Sequence, residues 1–293
     1  MELRDTAPAT DGRELCVTRF PAMGEAWATA VIAPAMAVRQ DFYAPFARFL
    51  ADAGVHVLTF DYRGIGGSRA EGLAALDASV TDWACKDLEA MLAEAHGAAP
   101  KLPLILVGHS LGGQILGLAP SNGSVRASLH VTAGSGYYGF NDGMPARVRF
   151  LWFVAMPLLT PLFGYFPGRA LRIIGDLPKG VAMQWRRWCV HPEYLLSEGD
   201  SARAAFDRVR APILSYSFAD DPMINRRAVE SLNGFYRNAR VEHRHVAPGD
   251  VGAGRIGHFG FFLAASRATL WNESLEWLRG ALARPVATLP AAG

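Results

Sequence analysis

Apolar positions along this chain fall into short runs that alternate with stretches at helical spacing. Thr29-Ala30-Val31-Ile32-Ala33 reads as a buried strand running into Pro34-Ala35-Met36. Phe42, Phe46, Phe49 and Leu50 then recur at helical intervals, and Val55 to Phe60 reads as the next strand. A helix is predicted over about Asp82 to Ala95, started by Thr81 or Asp82, with Ala84, Leu88, Met91, Leu92 and Ala95 on one face. Leu104 to Val107 and Ser128 to Ala133 read as two more strands, separated by a short helix. This alternation argues for βαβ units, hence an α/β fold with a mostly parallel sheet and helices on both faces.

After Gly134 the alternation breaks. Residues 136–208 are rich in aromatics, Pro and Met, and include Trp152, Trp185 and Trp188. The alternation resumes with Ala211 to Phe218 as a strand and Ala228, Val229, Leu232, Phe235 and Tyr236 on a helix. A strand from about Ala239 to Val246 and a last helix through Leu270, Ser274, Leu275 and Leu278 follow. The expected organisation is a core formed by 1–135 and 209–293, with 136–208 inserted as an apolar, aromatic cap. A length of 293 residues suits one such domain with an insertion.

Inside that cap, Phe150 to Gly168 carries no charge and reaches the length of a membrane-span candidate. Pro157, Pro161, Pro167 and Gly164 interrupt it, since each proline removes a backbone donor and bends or ends a helix. A buried or substrate-facing lid is the expectation, with contact at a membrane surface as the lesser alternative.

Charge and cysteine usage narrow the classes further. Lys and Arg number 29 against 27 Asp and Glu, a net charge of +2, which argues against a nucleic-acid partner. Cys16, Cys85 and Cys189 are scattered, odd in number and without metal spacing. They read as reduced thiols of a cytoplasmic protein, and Met1 to Asp5 lacks the basic-then-apolar order of a signal peptide. No metal or other cofactor is expected.

The chemistry concentrates in Pro103-Leu104-Ile105-Leu106-Val107-Gly108-His109-Ser110-Leu111-Gly112-Gly113-Gln114, an apolar strand, a Gly-x-Ser-x-Gly turn and a helix start. A serine at such a turn exposes its hydroxyl above the sheet, and the flanking glycines let strand and helix close on each other. Chance alone supplies about 0.15 such patterns at this composition, so the turn needs its context. A serine also needs a base, and the base an orienting acid, in the order Ser, acid, His beyond strand ends.

Eight histidines compete for the base. His56 lies within a strand, His109 suits packing beside the serine, and His96, His130 and His191 come too early or sit in the cap. His243 and His245 alternate along a strand. His258 alone follows the last strand and precedes the last helix, with Gly257 before it and Phe259-Gly260-Phe261-Phe262 after it. Asp220 and Asp221 both end a strand; Asp221 is favoured as the acid, Asp220 is second and Asp142 a distant third. For the oxyanion, Leu111 offers its N–H, and the early loop must supply the other donor. Pro34 has none, so Met36 is the candidate. Asp61-Tyr62-Arg63-Gly64-Ile65-Gly66-Gly67-Ser68 lacks both dinucleotide spacing and a phosphate-binding lysine, so Asp61 and Arg63 are expected to brace loops near the site.

Asp-x-Arg-Gly-x-Gly-x-Ser, Gly-His-Ser-x-Gly-Gly and the late Gly-His-Phe-Gly, in this order, resemble the α/β-hydrolase superfamily from about Gly12 to Ala283. The chain is most similar to a group of bacterial predicted α/β hydrolases that shares Asp-Tyr-Arg-Gly-Ile-Gly, Gly164-Tyr165-Phe166-Pro167-Gly168-Arg169 and Gln184-Trp185-x-Arg187-Trp188-Cys189. The group also shares Ser217-Phe218-x-Asp220-Asp221 and Ile256-Gly257-His258-Phe259-Gly260. The resemblance implies a serine esterase or amidase-type site, although Pro34-Ala35 departs from the His-Gly found in many such enzymes. A small or medium apolar ester is the expected substrate. Acyl transfer to an alcohol, amine or thiol is the main alternative, ahead of a C–C-cleaving activity or a ligand-binding shell. Dehalogenases and epoxide hydrolases of this fold use Asp where this chain has Ser110. Trp152, Trp185, Trp188 and Phe259 are candidate substrate contacts, with cap packing as the plainer reading for the tryptophans. Arg186 and Arg187 read as exposed arginines rather than anion ligands.

Overall fold

The computed structural model describes residues 2–140 and 146–283; Asp142 lies outside them. Eight strands form one sheet in the order β1-β2-β4-β3-β5-β6-β9-β10. They are β1 (Leu3–Pro8), β2 (Glu14–Phe20), β3 (Ala28–Ala33), β4 (Val55–Phe60), β5 (Leu104–His109), β6 (Val125–Val131), β9 (Ile213–Phe218) and β10 (Val241–Val246). From β4 to β10 every neighbouring pair is parallel, whereas β1 and β2 run antiparallel at one edge.

Alternation along the central strands covers both faces of the sheet. Leu104 and Leu106 pack with Trp83, Leu88 and Leu92, while Ile105 and Val107 pack with Phe46, Leu270 and Leu278 on the other side. All of these side chains are buried, and each contributes about 1.5–3 kcal/mol through the apolar area it withdraws from water. The helices that supply them are α1 (Ala44–Asp52), α2 (80–98) and the C-terminal helix. Helix α2 starts earlier than its pattern predicted. Ser79, not Thr81 or Asp82, is its N-cap, and Ser79 and Asp82 form a reciprocal capping box.

The residues between β6 and β9 add no strand to this sheet among the described residues. A helical run at 146–163 ends at Gly164, whose φ is 74°, and a short hairpin of β7 (Tyr165–Phe166) and β8 (Leu177–Pro178) follows. Helices Lys179–Cys189 and Asp200–Asp207 then lead back to the sheet. Only half of the 146–163 run is buried. Leu151, Trp152, Ala155 and Met156 face inward, while Phe150, Phe153, Leu158 and Leu162 stand 50%, 48%, 64% and 74% exposed. No helix among the described residues is long and apolar enough to cross a membrane.

Candidate active site

Strand β5 occupies the middle of the sheet, between β3 and β6, and delivers Ser110 at its C-terminal end. Ser110 adopts φ 49°, ψ −111°, a conformation that costs a non-glycine residue about 1–3 kcal/mol. Its surroundings hold it there. The Ser110 N–H donates to the Val131 carbonyl at 2.9 Å, and the Ser110 carbonyl accepts from Gly113 N–H at 3.1 Å and Gln114 N–H at 3.2 Å. The turn also demands side-chain-free neighbours. A Cβ on Gly108 would stand 2.4 Å from the Gly113 backbone, and one on Gly112 would stand 2.0 Å from the Ala33 carbonyl oxygen.

The loops after β9 and β10 bring Asp221 and His258 together. The His258 Nδ1–H donates to Asp221 Oδ2 at 2.8 Å, with both side chains almost fully buried. The other Asp221 oxygen accepts the N–H groups of Met223 at 2.8 Å and Ile224 at 3.1 Å. Asp221 is thereby fixed from both ends, and His258 retains Nε2 as its basic nitrogen. Asp220 points elsewhere and accepts from the Ile256 and Gly257 N–H groups, each at 2.9 Å. Burial pushes its carboxyl up, but these two donors outweigh burial and hold it below the usual carboxylate range. Asp220 thus clamps the left-handed turn before His258, where Gly257 has φ 56°.

The loop after β3 carries the candidate oxyanion donors. Ala35 N–H is engaged by the Tyr43 hydroxyl at 2.8 Å, and Pro34 has no N–H. The N–H groups of Met36 and Leu111 donate to no protein acceptor among the described residues. Asp61 braces this loop, accepting from Gln40 N–H and Gly67 N–H at 2.8 Å each. Its carboxyl is raised by burial, which those donors only partly offset. Buried Arg63 ties Asp87 to Asp11, with Nε to Asp87 at 2.7 Å and one terminal nitrogen to Asp11 at 2.7 Å. Gly175 closes against the same loop, where an added Cβ would meet the Ala37 side chain at 2.8 Å.

The aromatic candidates separate by position. Phe259 is 40% exposed and stands edge-on to His258, with ring centroids 5.1 Å apart. Trp152 and Trp185 pack edge to face at 4.8 Å. Trp188 is fully buried and donates to Glu198 at 2.6 Å, within the packing of the residues between β6 and β9. Arg186 donates to the Trp152 carbonyl, and exposed Arg187 pairs with Glu198 at 2.6 Å.

The remaining histidines make other contacts. His243 and His245 share the Ser217 hydroxyl at 2.8 Å each. His130 is sealed in the core, where burial pulls it down to about 3. His109, read only as a packing residue, hydrogen-bonds at both ring nitrogens, to the Tyr43 hydroxyl at 2.8 Å and the His258 carbonyl at 2.9 Å. Sequence reasoning missed Tyr43 and the clamp formed by Asp220. Tyr43 lies inside an aromatic helix start (Phe42-Tyr43), so nothing local marks it as polar in function. Among the described residues no three His, Cys, Asp or Glu side chains converge as metal ligands.

Comparison with known proteins gives three findings. A family model described as "Alpha/beta hydrolase family" matches residues 20–273. No curated protein sequence matches the chain. Among solved structures, DcsB in complex with its substrate analogue is similar with a TM-score of 0.68 at 14% identity, over 96% of this chain and 100% of that one. A lipase in its open form gives 0.64 at 16% identity, over 97% and 100% of the two chains. A highly thermostable carboxyl esterase from Bacillus coagulans, in complex with glycerol, gives 0.62 at 12%, over 96% and 99%. At such identities the likeness speaks for the fold.

Proposed function

Because the chain belongs to the alpha/beta hydrolase family, we propose that it cleaves a small or medium apolar carboxylic ester through an acyl-Ser110 intermediate. The observation that carries this reading is the buried His258–Asp221 pair at 2.8 Å, built at strand ends beside the strained Ser110 turn. Ser110 Oγ attacks the ester carbonyl while His258 Nε2 takes its proton, and Asp221 stabilises the imidazolium that results. The oxyanion receives the N–H groups of Met36 and Leu111. Collapse breaks the bond to the alcohol, which leaves with the proton from His258. Water then attacks the acyl-enzyme, His258 again takes the proton, and the carboxylic acid departs as Ser110 is regenerated.

The apolar surroundings support an acyl or aromatic substrate, with Phe259 edge-on to His258 and Phe42 edge-on to Phe259. The structural neighbours whose names say esterase and lipase agree in class. The exposed apolar side of 146–163 favours a substrate met at a lipid surface. Arg149, Arg169 and Arg172 near it are exposed, and the sequence from 146 to 175 contains no acidic residue.

A fluorophosphonate probe tests the central claim. It is expected to label wild-type protein at Ser110 and to leave Ser110→Ala unlabelled. The Ser110→Ala protein should remain folded but lose turnover of p-nitrophenyl esters. Labelling elsewhere, or sustained turnover without Ser110, overturns the reading.

A further inference from the structure

We propose that Tyr43 and His109 are positioning residues. They form one buried, proton-ordered hydrogen-bond relay that couples the oxyanion loop to the loop bearing His258. The inference rests on the serine-hydrolase reading above and adds to it two residues outside the triad.

The relay has three links: Ala35 N–H to the Tyr43 oxygen at 2.8 Å, Tyr43 to His109 Nδ1 at 2.8 Å, and His109 Nε2 to the His258 carbonyl at 2.9 Å. Only one arrangement of hydrogens satisfies every group. The His258 carbonyl can only accept, so His109 Nε2 must carry the proton. Burial, joined by the neighbouring His258, keeps His109 well below the ordinary histidine range, so the ring is neutral and holds a single proton. Its Nδ1 is therefore an acceptor, and the Tyr43 O–H points at it. The Tyr43 oxygen is then free to accept from Ala35, and burial keeps the phenol protonated. The opposite tautomer sets a lone pair against a carbonyl oxygen and leaves the Tyr43 hydroxyl proton without a protein acceptor at a fully buried position.

Both ends of the relay reach the proposed chemistry. At one end, engaging Ala35 N–H fixes the peptide just before the Met36 donor. At the other, fixing the His258 carbonyl fixes the main chain from which the imidazole projects. Rings on several sides hold His109 in place, with centroids 4.8 Å away at Phe262, 5.2 Å at His258 and 5.5 Å at Phe259. The residue before the nucleophile is thus an internal strut, set by the same turn that presents Ser110.

Two measurements test this. Long-range ¹H–¹⁵N NMR of Ser110→Ala protein should show His109 as the neutral Nε2–H tautomer from pH 6 to 8. An imidazolium or an Nδ1–H tautomer overturns the proposal whether or not the protein is an esterase. In the active protein, Tyr43→Phe keeps the ring and removes the link. It should lower kcat about 10- to 100-fold with KM changed less than about twofold, the pattern expected of displaced reacting groups. His109→Leu should do the same. His109→Gln, whose amide can donate to the carbonyl and accept from Tyr43 together, should keep about tenfold more activity than His109→Leu. Unchanged kcat in Tyr43→Phe, or equal activity in the Leu and Gln variants, overturns the relay. A wild-type protein that fluorophosphonate fails to label instead overturns the hydrolase reading, and with it the relay's catalytic purpose.

Discussion

Asp220 and Asp221 are chemically identical neighbours with different work. Asp221 holds the His258 ring, and Asp220 holds the main chain beneath it. Asp221→Asn is expected to lower kcat about 10³- to 10⁴-fold by losing the tautomer-fixing charge. Asp220→Asn keeps one acceptor for two N–H groups and is expected to cost about tenfold, through looser placement of the histidine. Steady-state kinetics of the two variants separates the roles. The lowered carboxyl of Asp220 also sets a sign. A carboxylate held below its unfolded value, about 3.9, stabilises the fold above that pH and loses this contribution as pH falls through its folded value. Melting curves between pH 5 and pH 2 should therefore show Asp220→Asn losing less stability towards acid than wild type. Ser110 and the Asp pair were legible because each follows an apolar strand run, and His258 because it alone sits in the loop between the last strand and the last helix. The sequence favoured Asp221 over Asp220 as the partner of His258, and the structure turns Asp221 to that ring. The backbone clamp made by Asp220 had no local signal, since adjacent residues in a tight turn differ only in direction.

At the scale of elements, the crossing of β3, β5 and the helix start after Ser110 leaves no room for one methyl group. Gly112→Ala drives a Cβ onto the Ala33 carbonyl at 2.0 Å, and overpacking of this kind costs about 1–3 kcal/mol. Gly72 has nothing within 4 Å of an added Cβ, so Gly72→Ala serves as the control. Thermal unfolding should fall by several degrees for the first and stay within about one degree for the second. Strands β3, β4, β5, β6 and β9 were legible because parallel strands buried on both faces read as unbroken apolar runs. Strands β1 and β2 were not. Exposed Leu3, Arg4, Asp5 and Thr6 make β1 a half-solvated edge that carries charge, and β2, though largely buried, sets Glu14, Thr18 and Arg19 among its apolar positions. The start of α2 was misread because Ser79 caps it through a local side-chain bond, which competes with propensity at Thr81 and Asp82.

At the scale of the whole molecule, the exposed side of the 146–163 run gathers Phe150, Phe153, Val154, Leu158, Leu162 and Phe163, half of the large apolar side chains that stand exposed among the described residues. Sequence spacing marked the run as apolar, but which half would be buried depended on tertiary packing against Trp185 and the helix bearing it. If that side meets lipid, Leu158→Asp with Leu162→Asp should weaken sedimentation with anionic vesicles and lower turnover of vesicle-dispersed esters about tenfold. Turnover of a soluble acetate ester should be unchanged. Equal binding of wild type and the double variant to vesicles excludes the lipid contact.

The relay that ends on the His258 carbonyl joins partners 149 positions apart in the chain. A nascent polypeptide that has emerged only as far as β6 can shape the nucleophile turn. It still lacks the loops after β9 and β10, and therefore both the proposed base His258 and the carbonyl that anchors Tyr43 and His109. On the mechanism proposed above, reactivity therefore needs the loops after β9 and β10 as well as the Ser110 turn.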